Sequence, residues 1–169
     1  MERPLELRAI ESGEIAVLQE LIEADPGYTE RVTGHPPGAS DALSLLLARP
    51  EGLGLDDKVV LGAWSGAHLV GVVDLLRGHP DESRAFLGLL QVRWELQRDG
   101  IGRRLSELTE SWVRDSWPEI ERLRVAVVDT NAMVAAPFWA AMAFVPTGED
   151  KPYRYDKLES TTRLYEKAL

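Results

Sequence analysis

A chain of 169 residues, 44% hydrophobic and 28% charged, has the size and balance to fold as a single domain, residues 1–169, around a real core. Its formal net charge of −9, from 28 acidic and 19 basic side chains, repels phosphate backbones and argues against nucleic-acid binding. The absence of cysteine excludes disulfides, thiolate metal sites and a cysteine nucleophile.

The chain opens on Met-Glu-Arg-Pro-Leu-Glu-Leu, which lacks the layout of a signal peptide. Residues 5–9 alternate apolar and charged, as a short strand does. Ser12 is placed to cap a helix whose apolar positions Ile15, Leu18, Leu21 and Ile22 share one face. Asp25-Pro26-Gly27 reads as its stop, and residues 28–39, rich in Gly and Pro, read as a loop. Ser40-Asp41 is placed to cap a second, short helix ending before Pro50. Residues 51–57 form a turn-rich connection.

The pattern then changes. Residues 58–64, a Ser65-Gly66 turn and residues 69–76 predict a β-hairpin, followed by a second turn at residues 78–81. Residues 85–92 are apolar almost throughout, as in a central strand buried on both faces. A helix is expected over residues 101–116, with Leu105, Leu108, Trp112 and Val113 on its apolar side and Pro118 beyond its end. Residues 123–128 read as another buried strand, 131–142 as a helix, 144–148 as a strand, 151–156 as a loop and 162–167 as a last strand. No apolar run is long enough to span a membrane, and His68 and Asp74 interrupt the longest. The expectation is a cytoplasmic protein with no membrane partner.

The strand–helix–strand unit over residues 85–128 implies a parallel pair with a crossover helix. The remaining order suits antiparallel neighbours. The expected fold class is α/β (α+β): one mixed, mostly antiparallel sheet with a central parallel pair and helices on both faces.

Three scattered histidines, His35, His68 and His79, stand at no metal-ligand spacing, so no metal site is expected. Arg98, Arg103 and Arg104 form a basic island in an acidic chain. They fall where the central strand runs into a glycine-containing turn that opens a helix. Unpaired backbone N–H groups and the macrodipole favour an anion at such a point, and glycines let a phosphate come close. A Walker loop would need Lys-Ser or Lys-Thr where Arg103-Arg104 stand. A Rossmann fingerprint would need a small residue where Leu105 stands.

What matches is Gln-x-x-Gly-x-Gly, at Gln97, Gly100 and Gly102, which resembles the acetyl-CoA signature of the GNAT superfamily of N-acyltransferases. The resemblance extends over roughly residues 58–149. Val92-Arg93-Trp94-Glu95-Leu96 keeps the valine of the family's Val-x-Pro-x-aromatic run but has Trp94 in place of proline. Phe138-Trp139-Ala140-Ala141-Met142-Ala143-Phe144 follows the family's Phe-Tyr-x-x-x-Gly-Phe, with Trp139 for tyrosine and Ala143 for glycine.

This resemblance implies acetyl-coenzyme A as co-substrate and no metal. Leu90, Gln91 and Val92 would offer backbone groups to the pantetheine arm where the parallel strands part. Gln97, Arg98, Asp99, Gly100, Ile101, Gly102, Arg103 and Arg104 would cradle the pyrophosphate. Asn131 matches a residue that bonds the cofactor arm, and it serves equally as a helix cap. Trp139 takes the place of a proton-donating tyrosine. An indole N–H gives a hydrogen bond but no proton at neutral pH, so its expected place is the wall of the pantetheine channel. The segments 28–49 and 151–156 match the acceptor pocket, with Tyr28, Tyr153 and Tyr155 as lining candidates.

Without cysteine, the expected chemistry is direct attack by a primary amine of a small-molecule or peptide acceptor. An amine of pKa about 10 must lose a proton, and a thiol pKa of about 8.5 makes the leaving thiolate tolerable unaided. A backbone N–H near Val92 would meet the developing oxyanion. Asp74 and Glu82 are the candidate bases. The alternatives are a non-catalytic acyl-CoA-binding or sensor module of the same fold and, more remotely, a small kinase. A homodimer is compatible with all of these.

Overall fold

The computed structural model describes residues 4–169. Met1, Glu2 and Arg3, at the head of the segment read for a signal peptide, lie outside them. Seven strands form one sheet in the order β1-β2-β3-β4-β5-β7-β6. They are β1 (Leu5–Ala9), β2 (Lys58–Ser65), β3 (His68–Arg77), β4 (Arg84–Val92), β5 (Arg122–Val128), β6 (Val145–Tyr155) and β7 (Leu158–Ala168). Only β4 and β5 pair in parallel; every other neighbour is antiparallel. The helices are α1 (Ile15–Glu23), α2 (Pro26–Thr33), α3 (Asp41–Leu47), α4 (Ile101–Ser116) and α5 (Ala132–Ala141). This is the mixed sheet with helices on both faces that the sequence predicts.

The alternation of side chains along each strand divides the core in two. Leu61, Val73, Leu87, Val125 and Val127 face α4 and α5, meeting Leu105, Val113 and Trp139. Val60, Trp64, Leu69 and Val72 face the other way, against Leu18, Leu21 and Ile22 of α1 and Ala42 of α3. β3 is buried from Leu69 to Leu76 because both of its faces are covered.

Two segments differ from expectation. Residues 26–33, expected partly as loop, form α2. Pro26 stands in its first turn, where a missing N–H and a fixed φ suit a helix start, and Gly34 ends it at φ 79°. Residues 145–155, expected as a short strand and a loop, are one continuous edge strand. Its exposed position accommodates Pro146 and Pro152, which lack a ladder donor. Neither expected serine caps a helix. The Glu11 N–H donates to Glu14 Oε2 (2.9 Å) before α1, and the Gly38 N–H donates to Asp41 Oδ2 (2.9 Å) before α3.

Candidate active site

The parallel pair at the centre of the sheet comes apart. β4 and β5 are in register only at Arg84–Phe86 against Arg122–Arg124. Beyond Phe86 a bulge sets in: Leu75 pairs with Leu87 and Asp74 with Leu89, which leaves Gly88 as the extra residue. A bulge bends its strand and sharpens the local twist. Gly88 is exposed although it lies on a central strand, because the gap opens beside it.

The gap is lined by backbone that has no partner strand. The Arg93 N–H donates to the Val70 carbonyl on β3 (2.8 Å), so by alternation the backbone groups of Leu90 and Val92 point away from β3, into the gap. Those of Gln91 point back to β3. The expectation for the three residues therefore divides: Leu90 and Val92 offer the gap their backbones, and Gln91 does not. The paired end is held by ions. Arg84 meets Asp81 (2.6 Å) and Glu166 (2.9 Å), and buried Arg124 meets Glu149 (2.6 Å) and Glu166 (3.8 Å).

At the open end, β4 runs into the turn that starts α4. Arg98 adopts φ 73° and Gly100 φ 79°. A non-glycine residue at positive φ is costly and persists only where the surrounding structure holds it. A Cβ built on Gly100 meets nothing within 4 Å, so this backbone is open to a ligand. The first intrahelical bond runs from Arg104 N–H to the Gly100 carbonyl (3.2 Å), and Ile101, Gly102 and Arg103 present the leading amides of α4. Arg98, Asp99 and Arg103 are exposed around this turn and Arg104 is half-buried. Gly102 has a structural reason beside the one expected. Its Cβ would stand 3.1 Å from Phe138 Cε2, so the missing side chain lets α4 approach α5. Gln97 ties the turn down, its amide donating to the Val92 carbonyl (3.1 Å) and to Asp25 Oδ2 (3.0 Å).

Across the sheet, the Asp74 carboxylate lies against the bulge: a Cβ on Gly88 would come within 2.9 Å of Asp74 Oδ2. Its other oxygen accepts from Lys58 Nζ at 2.7 Å, and both side chains are largely buried. Burial pushes the Asp74 carboxyl above the usual aspartate range, with the Lys58 ammonium pulling the other way. Lys58 was missed in the sequence. The hairpin around Ser65-Gly66 was the signal available, since its register sets Lys58 one diagonal from Asp74. Glu82 is a different case. It is exposed in the turn before β4, about 20 Å along the strand from Leu89, so the structure does not bring the two candidate bases together.

Helix α2 bars the open side of the gap. Its leading Asp25 holds Gln97, at the end of β4. Its far end holds the turn after β5, with Arg31 Nε donating to Asn131 Oδ1 (2.7 Å) and Thr130 Oγ1 to the Arg31 carbonyl (2.5 Å). The Tyr153 hydroxyl donates to the Val32 carbonyl (2.5 Å), fastening β6 to the same helix. Asn131 thus makes no side-chain cap for α5; its side chain joins the two halves of the site. Half-buried Tyr28 sits on this bar. Burial pushes its hydroxyl up to about 12, reinforced by Tyr153 and by Asp74 and Asp25 and opposed by Arg31. The Tyr28 hydroxyl therefore stays neutral, and able to donate, through the neutral pH range. Tyr155 lies half exposed at the hairpin end of β6.

Trp139 is not on an open wall. It is buried in the main core, edge-on to Phe138 and Phe144 at 4.9 Å between centroids. Among the described residues no group of three or more His, Cys, Asp or Glu side chains is placed to hold a metal ion, and no helix is long and apolar enough to cross a membrane.

The sequence model of the acetyltransferase (GNAT) family matches residues 19–144, well over half of the chain. No curated protein matches in sequence. Solved structures share the fold throughout. An acetyltransferase from Thermus thermophilus superposes with a TM-score of 0.75 at 22% identity, covering 100% of both chains. A spermidine N-acetyltransferase from Vibrio cholerae, in complex with CoA and spermine, gives 0.70 at 16% identity over 97% of this chain and 95% of that one. The ribosomal-protein-S18-alanine N-acetyltransferase of Escherichia coli gives 0.67 at 13% identity over 98% and 94%.

Proposed function

Because the chain belongs to the acetyltransferase (GNAT) family, we propose that it uses acetyl-coenzyme A as donor and passes the acetyl group directly to a primary amine. The observation that carries this reading is the parting of β4 and β5, with a helix N-terminus at its mouth and a buried carboxylate on its far side. The residues present fit the donor. The open backbone at Gly100 and the leading amides of α4 suit a pyrophosphate, and the backbones of Leu90 and Val92 suit an extended amide-bearing arm.

When bound, acetyl-coenzyme A supplies an acetyl carbon activated by a thioester. The rest of the chemistry belongs to the chain. The acceptor amine enters from the α1–α2 side, where Asp74 Oδ2 lies beside Gly88. Asp74 takes a proton from the amine, whose nitrogen lone pair forms the bond to the acetyl carbon as the carbon–sulfur bond breaks and the thiolate leaves. Lys58 holds Asp74 Oδ1, so that Oδ2 is the oxygen turned to the substrate. The Leu90 and Val92 N–H groups are the donors available to the oxygen that gains charge. Tyr28 orients the acceptor by hydrogen bonding. Tyr153 reaches the site through its bond to α2 and Tyr155 from the hairpin end. Glu82 is too remote for the proton.

A second reading has one observation in its favour. Trp139 occupies the position of the family's proton-donating tyrosine and is committed to the core, which suits an acyl-CoA-binding module without turnover. Two measurements decide. Acetyl-CoA should raise the melting temperature well above the effect of ATP or NAD, since a ligand bound only by the native state stabilises it. Incubation with acetyl-CoA and a broad amine panel should yield CoA and acetylated amine. Stabilisation without product selects the binding module; equal stabilisation by ATP overturns both. The net charge of −9 and the lack of a membrane-length helix among the described residues support a cytoplasmic enzyme that does not act on nucleic acid.

A further inference from the structure

The acceptor face carries a polar group that the fold leaves unsatisfied. Gln91 is 5% exposed, and its buried side-chain amide nitrogen has no hydrogen-bond partner. Buried amide donors in native proteins are paired almost without exception, because an unmade bond leaves the loss of hydration uncompensated. Among the described residues Trp64 Nε1 is the other buried side-chain donor without a partner, but it lies on β2 in the α1 cluster. Gln91 lies on the part of β4 beside the gap, where a partner can arrive with the substrate.

The register fixes the direction of this side chain. Gln91 stands opposite Val72, which packs against α1, so the carboxamide projects to the acceptor face. Its position is beyond Phe86, in the part of β4 that has no β5 neighbour. Asp74 stands opposite Leu89 on the same face. Asp74 and Gln91 are therefore diagonal cross-strand neighbours, about 7–8 Å apart at the backbone. They make opposite demands. The carboxylate accepts and wants an N–H; the amide nitrogen donates and wants an oxygen.

Resting on the reading that this face receives the amine, we infer that Gln91 selects the acceptor, its side-chain amide donating to a carbonyl oxygen one carbon removed from the reacting nitrogen. The acceptor class is then an α-amino carbonyl compound, a free amino-acid derivative or a peptide N-terminus, and not a plain alkylamine or polyamine. The dimensions agree. In such a compound the nitrogen and carbonyl oxygen lie about 3 Å apart. With a hydrogen bond of about 2.9 Å at each end, that pair reaches across side-chain tips up to about 9 Å apart, enough to span diagonal neighbours on one face of the sheet.

The test is binding to the CoA-loaded protein, measured by calorimetry on matched ligands. The pairs are glycinamide with ethylamine, alaninamide with isopropylamine, and phenylalaninamide with phenethylamine, with an alanyl tripeptide as a further arm. The wild-type protein should bind the carbonyl member of a pair at least tenfold more tightly. Gln91→Met, which keeps the volume and the backbone, should collapse that ratio towards one. It should also leave the ligand-free melting temperature equal or higher, since it replaces an unsatisfied group. A merely structural glutamine would do the reverse, lowering the melting temperature and preserving the ratio. Tighter binding of the tripeptide assigns the peptide N-terminus, and tighter binding of the amide assigns the free derivative; both support the inference. Equal binding within every pair, no binding of any carbonyl member, or an intact ratio in Gln91→Met overturns it. Failure of the transferase reading shows separately, as a protein that binds these ligands and forms no acetylated product.

Discussion

On the side of the sheet covered by α4 and α5, the groups suited to the donor come from one continuous stretch, residues 90–104. On the side covered by α1 and α3, with α2 across the gap, the groups suited to the acceptor come from separate segments: Tyr28 and Arg31 on α2, Lys58 and Asp74 on neighbouring strands, Gln91 on β4 and Tyr153 on β6. The difference follows from what each side recognises. A pyrophosphate is bound by backbone N–H groups at a helix start, and a strand, a turn and a helix in sequence are enough to build that. An acceptor is recognised by side chains, and these converge only when distant elements pack. One side is local and the other is a product of tertiary structure.

The sharpest break between the two sides is expected at Asp74. Asp74→Asn keeps an oxygen for Lys58 Nζ but removes the base, and general base catalysis is typically worth about 10²–10⁴-fold. At pH 7, kcat should fall at least tenfold (on the order of 10² for a base in direct contact), while stabilisation by acetyl-CoA is unchanged. The deficit should shrink as the pH approaches the amine pKa of about 10. In the proposed mechanism the ionised carboxylate is the active form, so the rate should fall as pH drops through a value that burial has set above the ordinary aspartate range. Stability at this residue has the opposite sign. A raised folded pKa means that folding favours the protonated form, so its contribution is full below the ordinary aspartate pKa and is lost as pH rises through the folded one. A normal rate for Asp74→Asn, or loss of acetyl-CoA binding along with activity, would show that the two sides are not separable here.

Gly102 tests whether the donor side is as local as it looks. Its Cβ position, 3.1 Å from Phe138 Cε2, belongs to a helix contact. Gly102→Val should destabilise the protein by about 1–3 kcal/mol through overpacking and weaken acetyl-CoA binding by tilting α4. Pairing Gly102→Ala with Phe138→Leu should recover most of what Gly102→Ala alone loses, in melting temperature and in acetyl-CoA affinity together. A double variant that regains stability but not affinity would return Gly102 to direct contact with the pyrophosphate.

The same division decides what could be read before folding. Gln97, Gly100 and Gly102, followed by a helix, were legible because a strand, turn and helix start suited to an anion are written along the chain. The succession of strands along the chain was legible because alternation and buried runs are local; the seating of β7 between β5 and β6 was not. Lys58 beside Asp74 depends on register, and the opening at Gly88 depends on a bulge that no residue pattern announced. Helix α2 was hidden by Asp25-Pro26-Gly27, where the same proline that ends one helix begins the next. The full length of β6 was hidden by Pro146, Gly148 and Pro152, which an edge strand tolerates and a central one does not. The bonds from Asp25 to Gln97 and from Arg31 to Asn131 join residues far apart in the chain, beyond the reach of any local pattern.

A smaller effect should appear at the fastening of α2. Tyr153→Phe removes the hydroxyl that meets the Val32 carbonyl and nothing else. The net loss is about 1 kcal/mol, the usual worth of one intramolecular hydrogen bond. Because α2 carries Tyr28, acceptor KM should rise a few-fold while the KM for acetyl-CoA stays put. A rise in the acetyl-CoA KM instead would mean that α2 transmits strain through Asp25 and Gln97 into the phosphate turn, and would couple the two sides.

The smallest effect lies at Ala143, where the chain departs from the family's glycine. Ala143 closes α5 at φ 67°, with its N–H on the Ala140 carbonyl and the Phe144 N–H on the Trp139 carbonyl. This is the position of a helix ending at which a left-handed residue is required and glycine is favoured. An L-residue there costs about 1–2 kcal/mol. Glycine would relieve that, at the expense of about 0.5–1 kcal/mol of chain entropy in the unfolded state. Ala143→Gly should therefore stabilise the protein by about 0.5–1 kcal/mol, a rise of about 2 °C in melting temperature for a domain of this size. The residue is exposed at the end of α5, between buried Met142 and Phe144, and away from the Asp74 face. Both KM values and kcat should be unchanged. A kinetic change without a stability change would mean that the end of α5 takes part in the reaction, and that the departure from Phe-Tyr-x-x-x-Gly-Phe at Trp139 and Ala143 alters function and not only packing.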